Sequence, residues 1–416
     1  MIVGVIPLGK IVGCPMIHID QRNSPSEEHM WEGLPPDNTR ELTDEEINNK
    51  YTKHDQRVIT ETNREQLPNF VAALRRPDWM ELRPFYQRRR RWDPIRQSRL
   101  IESFIMNIPI PPLFVFESDY AKYEVMDGQQ RITTIRDFYS NELRLQGLEQ
   151  WPELNGRVYA TLPGEIRKGI DRRSISYYVL LKESAVSSEG ETLLRQQVFE
   201  RLNTGGVKLS NQEIRNAIYP GPLNDLIMQL VRNNIFRKAW GLPPYYSEEE
   251  TNPPDSLLRN PTYSQMRDAE IVLRFFALRH AEEYRRGMAG FLDLYSVRAK
   301  RFNSQDINFL GSLFDDTIGL ASAIYDDLIF RPWDKEKHIW AERSQVAFAD
   351  AVMVGLSRML SSGWILIERR ERILNETKSL FASHPQGTFT GQGNSRRDVQ
   401  QRIELYEQML VSVLAL

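Results

Sequence analysis

Apolar and polar positions follow a regular period only from about Leu67 onward. Residues 1–63 are polar and irregular, interrupted by Pro25 and Pro35-Pro36. They read as a flexible arm with one short helix after Thr43, where Thr43-x-x-Glu46 fits a capping box. Leu67–Leu74 fits a second short helix. Asp93-Pro94 then supplies an N-cap and a first-turn proline for a helix over 95–106. Leu100, Ile101, Phe104 and Ile105 make its apolar stripe, and Pro109, Pro111 and Pro112 end it. Residues 113–116 and 123–126 read as strands. Gln129–Tyr139 reads as a helix with Ile132, Ile135 and Phe138 inward. Further on come a short helix after Pro163, a strand at 177–181 and a helix over 191–202. Asn203-Thr204-Gly205-Gly206 stops that helix, and Ser210-x-x-Glu213 opens another, to about Tyr219.

From Ser264 the period is almost wholly helical, with segments near 265–285, 305–328, 341–360, 363–383 and 395–415. The expected fold class is α+β. A domain with a small mixed sheet spans 64–240, a proline-rich linker or loop 241–263, and an all-helical domain 264–416. The arm over 1–63 precedes them.

Composition narrows the classes. A chain of 416 residues with 41% hydrophobic and 26% charged residues can bury a sizeable core. Net charge is −2, so any nucleic-acid contact must come from a local patch. One cysteine, Cys14, excludes an intrachain disulfide framework and a Cys-rich zinc site, and suits a reducing, cytoplasmic setting. The six histidines show no metal-ligand spacing. No run of about 18 apolar residues exists, so no membrane span is expected. Ile11-Val12-Gly13-Cys14 loosely resembles a lipobox but lacks a cationic stretch before it. A disordered leader, or a start placed too early, fits better.

Three segments can carry chemistry. In residues 123–131 a strand runs into Asp127-Gly128 and a helix opens just after. Gly128 permits close backbone approach, and the helix N-terminus offers amides and a positive dipole end to an anion. Arg131 can add a bidentate phosphate contact, and Asp127 can hold a metal, orient a water or accept a proton. Gln129 and Gln130 add neutral donors and acceptors. A plain strand–turn–helix junction capped by Asp127 fits the same residues. The second segment is arginine-rich: residues 75–99 hold nine arginines against Asp78, Glu81 and Asp93. Arg88 to Arg91, with Tyr86 and Trp92 beside them, suit phosphate contact and stacking, or else a solvated charged face. The third, 199–206, is either simple helix capping or a contribution of Arg201 and Asn203 to the Asp127 pocket.

Together these segments resemble the family called domain of unknown function 262. Its pattern has P-x-Y-Q-R, then YEV-x-DGQQR, then F-x-RLNTGG, which stand here at 84–88, 123–131 and 199–206. The resemblance covers about residues 65–225, with weaker similarity around 269–278. The family looks like a branch of the ParB/sulfiredoxin superfamily. Members include the S half of the GmrSD modification-dependent restriction enzymes and subunits of other phage-defence systems. What the resemblance implies is a ParB/sulfiredoxin-like domain whose DGQQR-type loop binds and hydrolyses a nucleoside triphosphate and so gates a nuclease. Asp127, Gln130 and Arg131 become the catalytic residues, with Asp127 also holding a divalent cation, Mg2+. Tyr86, Gln87, Arg88, Gly128, Gln129, Arg201 and Asn203 become the nucleotide-binding residues. Arg89, Arg90, Arg91 and Arg96 form the nucleic-acid contact. The expected partners are a nucleotide, DNA, a separately encoded nuclease or methyltransferase, and a second copy of the chain. The H-N-H signature of fused GmrSD-type proteins is missing from this sequence. Two alternatives stand beside this one: a non-catalytic DNA-binding or partner-recruiting module, and a metal-dependent nuclease built on the ParB-like domain.

Overall fold

Capping chemistry sets many of the helix starts. Thr43 and Glu46 satisfy each other's amides, Asp93 Oδ1 accepts from Arg96 N at 2.8 Å, and Ser210 pairs with Glu213. The computed structural model describes residues 23–33, 43–52, 60–76, 78–82, 92–181, 198, 201, 210–250, 253–385 and 387–415. They fall into two units. Arg40–Ile218 forms one, and Met1–Thr39 with Tyr219–Leu416 the other.

The first unit runs α1 (Asp44–Thr52), β1 (Thr60–Gln66), α2 (Leu67–Leu74), β2 (Met80–Glu81) and α3 (Pro94–Ile105). Then come β3 (Leu113–Asp119), β4 (Lys122–Asp127), α4 (Gln129–Tyr139), α5 (Gly164–Asp171), β5 (Ser174–Leu180) and α6 (Asn211–Ile218). Its strands form one mixed sheet in the order β1-β5-β3-β4-β2. The β1/β5 and β3/β4 pairs are antiparallel; β3/β5 and β2/β4 are parallel. Period-two alternation decides the packing. Leu113 and Val115 of β3, with Ile175, Tyr177 and Val179 of β5, join Phe70, Ile101, Phe104, Ile132, Ile135 and Phe138 in one core. The sheet is thereby backed by α2 to α5, and the β4–α4 junction is held against that core.

The edge strand β1 lies where the sequence suggests only the end of an arm. Its residues, TETNREQ, have no apolar alternation, and the strand exists through backbone pairing, from Thr60 opposite Leu180 to Gln66 opposite Ser174. An exposed edge needs no apolar face.

The second unit is helical: α7 (Pro222–Leu230), α8 (Asn234–Ala239), α9 (Arg267–Leu278), α10 (Gly287–Arg298) and α11 (Ser304–Tyr325), then α12 (Val346–Ser357), α13 (Arg370–Ser383) and α14 (Arg396–Leu414). Helix α12 is buried at every position from Ala347 to Ser357. A helix apolar on all sides belongs at the centre of a bundle. Its one charge, Asp350, is met by Arg274 Nε at 3.0 Å. Among the described residues no single helix is long and apolar enough to cross a membrane.

The division between units falls after Ile218, whereas periodicity alone suggests about 240. Leu223, Leu226, Ile227 and Leu230 of α7 bury into the helical core, which draws α7 into the second unit. The described residues of this stretch, 241–250 and 253–263, are likewise folded. Leu242, Leu257 and Tyr263 form a small core, and Arg237 is paired with Glu249 at 2.7 Å, both nearly fully buried. Single anchors spaced along an irregular segment leave no periodic trace.

Residues 23–33 pack into this unit too. Glu27, 1% exposed, meets Arg279 at 3.0 Å and His280 at 3.1 Å. Burial pushes its carboxyl up, but Arg279, His280 and the Ser24 amide outweigh that and hold it down at about 2, against an ordinary 4.5. The folded value lies below the unfolded one, so this stabilisation is complete above about pH 4.5 and is lost as pH falls through about 2. Urea midpoints measured across that window should fall for the wild type, and Glu27→Gln should remove that share of the slope.

Candidate functional site

Strand β4 passes to α4 through Gly128, whose φ of 100° and ψ of 8° lie in the left-handed region. A Cβ there would overlap Leu113 Cδ2, so both conformation and space demand glycine. The turn leaves the first amides of α4 without intrahelical acceptors, at the positive end of an eleven-residue helix.

Arg131, one turn into α4, is 12% exposed and donates to Asp127 Oδ2 through Nη2. Its Nη1 donates to the Pro111 and Pro112 carbonyls, the latter at 3.1 Å. The guanidinium therefore clamps the turn to the entry of β3. Asp127 stays half exposed, at 49%. Gln130 Oε1 accepts from Trp92 N at 3.1 Å, tying the approach to α3 onto the same turn. Gln129 is half-buried at the first helical position. Asp127, Gly128, Gln130 and Arg131 thus meet at one turn. The clamp, rather than a free cation facing outward, is what the structure adds.

Backbone register sets Asp127 beside Phe114 at a bulge, and Phe114 beside Tyr178. The two rings stack at 5.2 Å and 23°, and Tyr178 is 36% exposed.

Tyr86, Gln87, Arg88, Arg89, Arg90, Arg91 and Asn203 lie outside the described residues. Arg96 is exposed in the first turn of α3, and Arg201 is exposed and helical. No group of three or more His, Cys, Asp or Glu suited to a metal occurs among the described residues. Asp127 alone fits Mg2+ only where phosphate oxygens and waters complete the six ligands.

Helix α6 carries polar groups that sequence reasoning passed over. Gln212, Glu213, Arg215 and Asn216 are each at most 5% exposed. Arg215 Nη1 donates to Gln212 Oε1 at 3.2 Å, and Gln212 Nε2 to Asn216 Oδ1 at 3.1 Å. Only the capping role of Glu213 is legible in the sequence, because a polar run reads as solvated until its burial is known.

Residues 74–220, about a third of the chain, match the family model described as GmrSD restriction endonuclease, N-terminal domain. This stretch is a GmrSD-like domain of the domain-of-unknown-function-262 family. The match relates the chain to restriction and phage-defence proteins. No curated protein and no solved structure matches the chain.

Gly128→Ala should destabilise the first unit by about 2–4 kcal/mol, from left-handed strain plus the overlap with Leu113. Arg131→Ala, which strips donors from two carbonyls and Asp127, should cost about 1–3 kcal/mol. Urea unfolding followed by circular dichroism measures both.

Proposed function

We propose that this chain is a nucleotide-binding and nucleotide-hydrolysing subunit of a prokaryotic restriction or phage-defence system, whose turnover regulates a nuclease. The observation that carries the reading is the left-handed Gly128 between β4 and an open helix end, inside the segment that matches the GmrSD N-terminal domain. In this reading the first-turn amides of α4 take the phosphates of a nucleoside triphosphate. Gly128 supplies the left-handed turn that opens those amides. Asp127 orients the attacking water, and with phosphate oxygens it would hold Mg2+, which supplies charge neutralisation when bound. Arg131 acts as a positioning residue, because its guanidinium is engaged by Asp127 and the Pro111 and Pro112 carbonyls. Gln130 joins it by holding Trp92.

The rest of the nucleotide contact falls to Tyr86, Gln87, Arg88, Gln129, Arg201 and Asn203, on the family resemblance. Strands lie about 5 Å apart, so Phe114 and Tyr178 stand about 5 and 10 Å from the turn, within a nucleotide's reach for stacking its base. Arg89, Arg90, Arg91 and Arg96 would meet DNA. A separately encoded nuclease or methyltransferase, and a second copy of the chain, are the protein partners.

A second reading is favoured by the locked clamp and the single carboxylate: the turn binds nucleotide or DNA without turnover. Phosphate release and calorimetric binding separate the two. Hydrolysis by the wild type, abolished in Asp127→Ala with binding retained, is expected of the enzyme. Binding without hydrolysis supports the second reading, and no binding of any nucleoside triphosphate overturns both. DNA affinity should fall by roughly 0.9 log units per log unit of salt for each phosphate neutralised. An unchanged affinity would remove the arginine contact.

A further inference from the structure

Glu27 is the centre of a built site that the nucleotide reading does not use. Its side chain is fully buried, and Arg279, His280 and Tyr295, which hold it, lie more than 250 residues away in sequence. Oε1 accepts from Arg279 Nη1 at 3.0 Å, from the Tyr295 hydroxyl at 2.8 Å, and lies 3.1 Å from His280 Nε2. Oε2 accepts from Ser24 N at 2.9 Å. Beside it, Ser26 N and Oγ donate to Asp306 at 3.0 and 2.7 Å, and Trp31 stacks on Phe291 at 5.5 Å and 9°. Arg279 and His280 follow α9, Phe291 and Tyr295 lie on α10, and Asp306 is in the first turn of α11. Three helices and their ends thus present a guanidinium, an imidazole, a hydroxyl, a carboxylate and an aromatic wall. One short segment of turns, with no helix or strand of its own, engages them all.

We propose that the ends of α9 to α11 form a peptide socket for a carboxylate- and tryptophan-bearing segment, filled in cis by residues 23–31 as a docked strap. The pattern read is Ser-Pro-Ser-Glu-x-x-x-Trp, at 24–31. The strap is held by these discrete polar anchors, and Met30 and Trp31 add apolar contact to the helical core. Vacating the socket bares Arg279 and His280.

The test uses the full chain carrying Glu27→Gln and Trp31→Ala, which weaken its own strap, together with a labelled peptide of residues 23–33. Anisotropy should show this variant binding the peptide at least about tenfold more tightly than the wild-type chain does, whose socket is occupied. A peptide carrying Glu27→Gln should bind neither. Hydrogen exchange in the full-chain variant should rise at 24–31 while α9 to α11 keep their protection. The proposal is overturned if the folded variant ignores the peptide. It is also overturned if exchange rises together through the strap and all three helices, or if the variant fails to fold, since the strap is then part of the core. A wild-type dimer held together by Glu27 would assign the segment to a second copy and overturn the cis docking.

Discussion

A single left-handed residue organises the first unit. Gly128 turns the chain out of β4 and into α4 in one step, against Leu113 of the neighbouring strand. Everything proposed for the site follows from that compression. The helix end opens beside a carboxylate, with Leu113 and the Arg131 guanidinium packed against the glycine itself. Arg131 then makes the turn rigid by bridging Asp127 to the two prolyl carbonyls that lead into β3. A guanidinium with three acceptors is costly to displace, because each carbonyl it abandons must find another donor. The clamp therefore favours a preorganised site over one assembled by the ligand.

Order in the two units comes from different sources. In the sheet unit, period-two burial and capping do most of the specifying, and element limits such as Leu67–Leu74 and Gln129–Tyr139 coincide with the periodic pattern. In the helical unit, a buried α12, apolar but for Asp350 and Ser357, is surrounded by amphipathic helices, and several buried charges are paired, as with Arg274 and Asp350. Such pairs contribute little net stability but discriminate strongly against misregistered packing.

Much of this was legible in the amino-acid order. Asp93 followed by Pro94, and the Thr43/Glu46 and Ser210/Glu213 boxes, are local signals that require no knowledge of the fold. The DGQQR turn was legible for the same reason: glycine, helix start and charged residues lie within five positions. What escaped depends on distant partners. Strand β1 is specified by the backbone of β5, residues 242–250 by anchors such as Glu249, and the buried face of α6 by neighbours outside its own period. The direction of Arg131 also escaped, because a cation one turn after an aspartate fits an outward phosphate contact as well as an inward clamp. Proline carbonyls at 111 and 112 decide between them, and nothing in their spacing from Arg131 announces it.

The central claim is that the opening of α4 is where phosphate binds. Hydrogen exchange on the full chain, with and without a non-hydrolysable nucleoside triphosphate and Mg2+, reads those amides directly. The account predicts slowed exchange concentrated at residues 128–131. Slowing elsewhere, with those amides unchanged, would contradict it.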